Sequence, residues 1–286
     1  MTERSELSWC WLDGVVGPTA EARIGVTDHG LTVGDGVFET MKVIDGVPFA
    51  LGRHLVRLRR SAGALGLAVP LDDAGLRGAC DEVIGAAGAA GAAVGRLRLT
   101  LTGGPGPAGS ERAPVDPTML LVTGPASHWE ATTAVVTVPF TRNPTGALAG
   151  VKSTSYAENV VALARARTAG ATEAIFADVD GRLSEGTGSN VFVVRDGELL
   201  TPALSTGCLA GITRELVLEV TDATETEDLR LADLQRATET FLTSTTRDVQ
   251  AVGTVDGAAL PGPAPGPVTC AASKAFAAVQ ERTRDP

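Results

Sequence analysis

Lys152 stands between the small apolar stretch Ala147 to Val151 and the hydroxyl-bearing Ser153-Thr154-Ser155, which sets one amine where a strand or loop would enter a site. A lysine there can lose its proton and form an imine with an aldehyde, although a lysine taken alone is more often a solvated surface charge. Glu185 lies among small residues ahead of the apolar run Val191 to Val194, where its carboxylate can pair with a protonated ring nitrogen. An exposed turn glutamate fits the same spacing. Gly211-Ile212-Thr213 precedes a helical pattern, so free backbone N–H groups there can receive an anion, while Thr213 also suits a helix N-cap. Thr245, within Ser244-Thr245-Thr246, adds hydroxyl donors. Arg57 adds a cation that a helix face would otherwise leave in solvent, and Arg98 and Arg142 are candidates to contact a substrate carboxylate.

These groups need elements to hold them. A strand is expected at Trp9 to Leu12, a glycine-rich loop around Gly30 to Gly36, and a strand at Val37 to Ile44 that turns at Asp45-Gly46. Leu55, Leu58, Ala62 and Leu65 recur at helical spacing, predicting an amphipathic helix from His54, and a second helix is expected between Asp72 and Ala90. Arg96 to Thr102 alternates with period two, as a half-buried strand does. Further on, strands are expected at Val135 to Val138, Glu173 to Ala177, Val191 to Val194, Leu199-Leu200 and Glu239 to Leu242, and helices at Ala157 to Ala169 and 213 to 221. Strands and helices without strict alternation predict an α+β fold. Loop composition places a small N-terminal domain at 1–123, a linker at 124–130 and a larger domain at 131–286, with PGPAPGP at 261–267 as a surface loop.

Composition narrows the classes of partner. A formal net charge of −10 works against phosphate backbones and anionic lipid heads, so neither nucleic acid nor a membrane is expected as partner. It leaves room for a small anionic substrate, because a few arginines can reverse the potential of one cleft. The four cysteines are scattered, without metal-ligand spacing, and read as reduced thiols; no metal is expected. The polar, acidic start lacks the pattern of a signal peptide, no apolar run reaches the roughly 18 residues of a membrane span, and a cytoplasmic protein is expected. The glycine-rich Gly103-Gly104-Pro105-Gly106 runs into proline instead of a helix, which argues against a nucleotide-binding loop.

An amine for an aldehyde, a carboxylate for a ring nitrogen, donors for a phosphate and contacts for a substrate are together what pyridoxal phosphate asks of a protein. Over nearly its whole length the chain resembles the class IV pyridoxal-phosphate enzymes. The resemblance is carried by Asp28-His29-Gly30, Gly34-Asp35-Gly36-Val37-Phe38-Glu39, His54-x-x-Arg57-Leu58, Lys152, Ser184-Glu185-Gly186 with Ser189-Asn190-Val191-Phe192, Leu209-Ala210-Gly211-Ile212-Thr213-Arg214 and Thr243-Ser244-Thr245-Thr246, in the family's order. It implies a two-domain fold of type IV, like the D-amino-acid aminotransferases, and a homodimer with the active site between the domains. It further implies that Lys152 carries the cofactor and shuttles the proton, that Glu185 partners the ring nitrogen, and that Arg57, Gly211, Ile212, Thr213 and Thr245 hold the phosphate.

Within that family, Leu31 and Thr102-Gly103-Gly104 stand where D-amino-acid enzymes carry a tyrosine and an arginine loop, and Val33 and Lys42 where branched-chain enzymes carry a tyrosine and an arginine. Arg142-Asn143-Pro144 and Leu148 to Lys152 resemble the run before the lysine in 4-amino-4-deoxychorismate lyases. The resemblance therefore favours a lyase that releases 4-aminobenzoate and pyruvate for folate synthesis, with a class IV aminotransferase as the alternative.

Overall fold

A computed structural model describes residues 8–286; the polar start of the chain falls partly in residues 1–7, outside the described residues. The chain forms two compact units. One runs through Ser127 and takes in Val151–Tyr156 and Thr283–Pro286; the other comprises His128–Gly150 and Ala157–Arg282. The first crossing falls inside the 124–130 stretch, but the expected domain 131–286 is interrupted. Residues 151–156 join the first unit because their backbone bonds to the strand Gly36–Ile44, and the C-terminus joins it because Ala50 N–H donates to Arg284 O at 2.7 Å.

The first unit is built on an antiparallel sheet in the order Val15–Pro18, Trp9–Leu12, Met119–Gly124, Arg96–Thr102, Gly36–Ile44, Val47–Pro48. The alternation in Arg96–Thr102 buries Leu97, Leu99 and Leu101 completely, against Leu55, Leu58, Leu76 and Val83 of the helices Leu51–Ala64 and Asp73–Ala89. Asp72 caps the second of these through Gly75 N–H. The first begins three residues before His54, because Ala50 takes a left-handed conformation at φ 56° and turns the chain directly into it. The glycine-rich stretch is not all loop: His29–Thr32 forms one helical turn, capped by the buried Asp28. Met119–Gly124 is a central strand that sequence patterning does not mark, since Met-Leu-Leu-Val has no polar alternation. Arg112 ties the Gly/Pro-rich loop after Thr102 to Asp35, at 2.6 and 2.5 Å.

The second unit carries a mixed sheet in the order Thr224–Thr226, Glu198–Pro202, Asn190–Arg195, Glu239–Ser244, Asp248–Val255, Thr132–Arg142, Glu173–Asp178, Leu183–Gly186, with Ala258–Ala259 beside Asp248–Val255. Thr132–Arg142 and Glu173–Asp178 are parallel and so need a crossover, which includes the helix Ala157–Thr168. Lys152 lies on the stretch of chain between that strand and that helix. Val135, Ile175, Val191, Val193, Leu242 and Val252 form the core here. The 261–267 loop ends in Pro267, which is the first residue of a further helix, Pro267–Arg282, that suits a proline at its start. The result is the α+β class. Among the described residues, no helix is long and apolar enough to cross a membrane.

Candidate active site

Lys152 is half-buried and fixed by backbone on both sides. Phe38 N–H donates to Lys152 O at 2.9 Å, Thr154 N–H donates to Gly36 O at 2.8 Å, and Lys152 N–H reaches Ser61 Oγ at 3.3 Å. The hydroxyls of Thr154 and Ser155 both donate to Gly34 O at 2.9 Å. With the main chain held, the side chain extends over Phe38, Nζ lying 4.5 Å from the ring centroid. Tyr156 meets the same ring edge-on, and the Arg98 guanidinium carbon is 3.7 Å from its centroid. Cations are drawn to an aromatic face by its quadrupole. One ring thus gathers Arg98 and Lys152.

Arg57 enters a network whose other members have no role assigned from sequence. On the helix Leu51–Ala64, His54 and Arg57 are three residues apart and share a face. Both point to Glu39 of the strand Gly36–Ile44: Arg57 Nε and Nη2 donate to Oε1 and Oε2 at 2.8 and 2.6 Å, and His54 Nδ1 is 2.7 Å from Oε2. All three side chains are buried. Burial alone would raise the Glu39 pKa, but the charge and hydrogen bonds of Arg57, with His54, bring it down to about 2. Burial pushes the His54 pKa down; the hydrogen bond and charge of Glu39 oppose this, and the charges of Arg57 and Lys152 add to it, with a net lowering. The network is therefore an ionised carboxylate and an arginine with a neutral imidazole beside them. The fork of Arg57 is set in one orientation by its counter-ion.

In the second unit, Glu185 sits on the strand Leu183–Gly186, not in a loop. Its Oε2 accepts from Leu209 N–H at 2.9 Å, and Oε1 lies 3.1 Å from Arg142 Nε. That second contact is an ion pair without a directed hydrogen bond, since Arg142 Nε is buried and makes none. Arg142 also stacks on Phe176 at 3.9 Å and stands 3.7 Å from Glu158. Arg142, a candidate for a substrate carboxylate, is turned toward Glu185.

Leu209 leads to Gly211, which is the N-cap of the helix Ile212–Val220 and supplies no side chain to it. Thr213 is thus not the cap but a buried residue of the first turn. A side chain at position 211 would be blocked, because a Cβ there would lie 1.9 Å from Asn190 Oδ1, and Asn190 Nδ2 donates to Leu209 O at 2.8 Å. The first-turn N–H groups at Ile212 and Thr213 thus have no side-chain cap from position 211, which suits a phosphate. Thr245 occupies the turn between Glu239–Ser244 and Asp248–Val255. Arg57, Arg98 and Lys152 thus belong to one unit, and Arg142, Glu185, Gly211, Ile212, Thr213 and Thr245 to the other. Each unit by itself carries groups of the kind pyridoxal phosphate takes: an amine and an oriented arginine in the first, a carboxylate and a helix start without a side-chain cap in the second.

A fold of this type with these groups defines a class of pyridoxal-phosphate enzyme, and comparison with known proteins gives the family. The family described as "Amino-transferase class IV" matches residues 36–255. A putative branched-chain-amino-acid aminotransferase of Methanocaldococcus jannaschii is 34% identical over 268 residues, covering 91% of this chain and 92% of that protein. A D-alanine aminotransferase of Bacillus licheniformis is 31% identical, covering 87% and 89%. Among solved structures, a T.th. branched-chain amino acid aminotransferase complexed with N-(5'-phosphopyridoxyl)-L-glutamate is similar with a TM-score of 0.85 at 27% identity, covering 96% of this chain and 95% of that one. The chain belongs to the class IV aminotransferase family, has the type IV fold and uses pyridoxal phosphate.

Proposed function

We propose that this protein is an amino-acid aminotransferase, moving the amino group of an amino acid to a 2-keto acid. The observation that carries the reading is Lys152, pinned through its own backbone to the strand of Phe38 and Glu39, with its amine over the Phe38 ring. Sequence motifs favour the lyase; the named relatives, branched-chain and D-alanine aminotransferases, favour transamination.

When bound, pyridoxal phosphate supplies a sink for the negative charge that develops at the substrate α-carbon. Lys152 Nζ would hold the cofactor and would move the proton at that carbon. Glu185, steadied by Arg142 and Leu209 N–H, holds the proton on the ring nitrogen. Arg57, oriented by Glu39, would be a phosphate ligand of the first unit, and the N–H groups of Ile212 and Thr213 beside Gly211, with Thr245, would be those of the second. Arg98 receives the substrate carboxylate. We take the active form to be a homodimer, because Ile24, Val26, Leu31 and Val33 leave an apolar stretch exposed that a second copy would cover.

The purified, cofactor-loaded protein is assayed against a panel of L- and D-amino acids with 2-oxoglutarate or pyruvate, and separately with 4-amino-4-deoxychorismate alone. Amino-group transfer that requires the keto acid and disappears in Lys152→Ala is the expected result. Equimolar 4-aminobenzoate and pyruvate without any keto acid would replace transamination by the lyase, since both reactions share every step up to proton removal.

A further inference from the structure

We propose that Glu173 is a positioning residue for the cofactor, its one buried carboxylate holding both the turn that follows Glu185 and the turn that carries Thr245. This rests on the reading of Glu185 and Thr245 as cofactor residues.

Glu173 opens the strand Glu173–Asp178 and is 2% exposed. Its Oε1 accepts from Thr187 N–H at 2.9 Å, from the Thr187 hydroxyl and from Ala174 N–H at 3.1 Å, and its Oε2 accepts from Ser189 Oγ at 3.0 Å. The chain from Gly186 to Ser189 is wrapped around the carboxylate and closed on itself by Gly186 N–H to Ser189 O at 2.7 Å. A Cβ at 186 would lie 2.4 Å from Ser189 Oγ and 3.1 Å from Glu173 Cδ, so a side chain there would have to displace the Ser189 hydroxyl from the carboxylate. Glu185 is the residue immediately before this turn, so the direction of its side chain follows from the way the turn sits.

On its other side Glu173 faces Arg247, Nη2 being 3.7 Å from Oε2. Arg247 closes the turn through Thr245, donating its N–H to Ser244 Oγ at 3.2 Å. Its guanidinium stacks on Trp129 at 3.7 Å, donates to Thr172 O at 3.1 Å and bonds Gln250 Oε1. One carboxylate with two N–H donors, two hydroxyls and an arginine around it has to be an acceptor on both oxygens. A glutamine would aim an NH2 group at donors and remove the charge facing Arg247.

Glu173→Gln is compared with wild type and with Glu185→Gln by titrating the apo-protein with pyridoxal phosphate, by the pH dependence of the bound cofactor's visible absorbance, and by the unfolding midpoint of the apo-protein. The expected result is cofactor binding weakened about tenfold and an absorbance profile displaced in the same direction as in Glu185→Gln. A purely structural residue would lower the midpoint and leave that profile in place. Cofactor affinity and profile within twofold of wild type, while Glu185→Gln changes both, would overturn the proposal. If Glu185→Gln changes neither, the reading of Glu185 itself is wrong and the proposal falls with it. Should Glu173→Gln not fold, the double variant Thr187→Val/Ser189→Ala, which removes two hydroxyl donors and keeps the charge, is expected to move affinity and profile in the same sense by a smaller amount, and no movement there overturns the proposal equally.

Discussion

The two units hold polar groups in place by different means. In the first, Arg57 is held by charge: Glu39 takes two of its nitrogens and His54 stands neutral beside them, all buried. In the second, the backbone at the start of the helix Ile212–Val220 is held by shape: Gly211 leaves room for the Asn190 carboxamide, and Leu209 N–H meets Glu185 on the way into the helix. A charge-held group should respond to pH and to loss of its counter-ion. A shape-held one should respond to a single methyl group and be indifferent to pH.

The largest expected effect is at Glu39. Glu39→Gln leaves the buried Arg57 without its counter-charge and is expected to cost about 3–5 kcal/mol in urea unfolding at neutral pH. It should also flatten the acid limb. With a folded pKa of about 2 against an ordinary 4.5, Glu39 contributes stability that is fully present above pH 4.5 and is lost as pH falls toward 2. An unfolding free energy that falls equally steeply over that range in Glu39→Gln would remove Glu39 as the charge anchor.

Gly211→Ala comes next. The added methyl must displace Asn190, which is expected to cost about 1–3 kcal/mol of stability and to weaken cofactor binding at every pH alike. A strongly pH-dependent defect would erase the contrast between the halves. The smallest effect on the fold is expected at Arg98→Gln, whose side chain is exposed: stability within about 0.5 kcal/mol, KM for the amino acid raised about tenfold and kcat retained. A loss of kcat without a change in KM would assign Arg98 to the lysine's environment, beside Phe38, and not to the substrate.

Local signals are legible because neighbours along the chain create them. The alternation of Arg96–Thr102, the helix capped at Asp72 and the turn at Asp45-Gly46, with Asp45 at φ 51°, are short-range consequences of residue type. The motif residues Lys152, Glu185 and Gly211-Ile212-Thr213 can be named for the same reason. The helix Pro267–Arg282 and the strand Met119–Gly124 escape, since an apolar run or an alanine-rich stretch has no period that separates buried from exposed faces.

The sequence by itself determined the class of chemistry, that of pyridoxal phosphate, and the α+β succession of elements that carries it. Only the tertiary structure decided the partners. Glu39 is 18 residues from Arg57, Arg142 lies 43 positions before Glu185, and Glu173 faces Arg247 across the sheet of the second unit. No spacing rule joins such pairs, because burial and strand order bring them together, and those are properties of the folded chain.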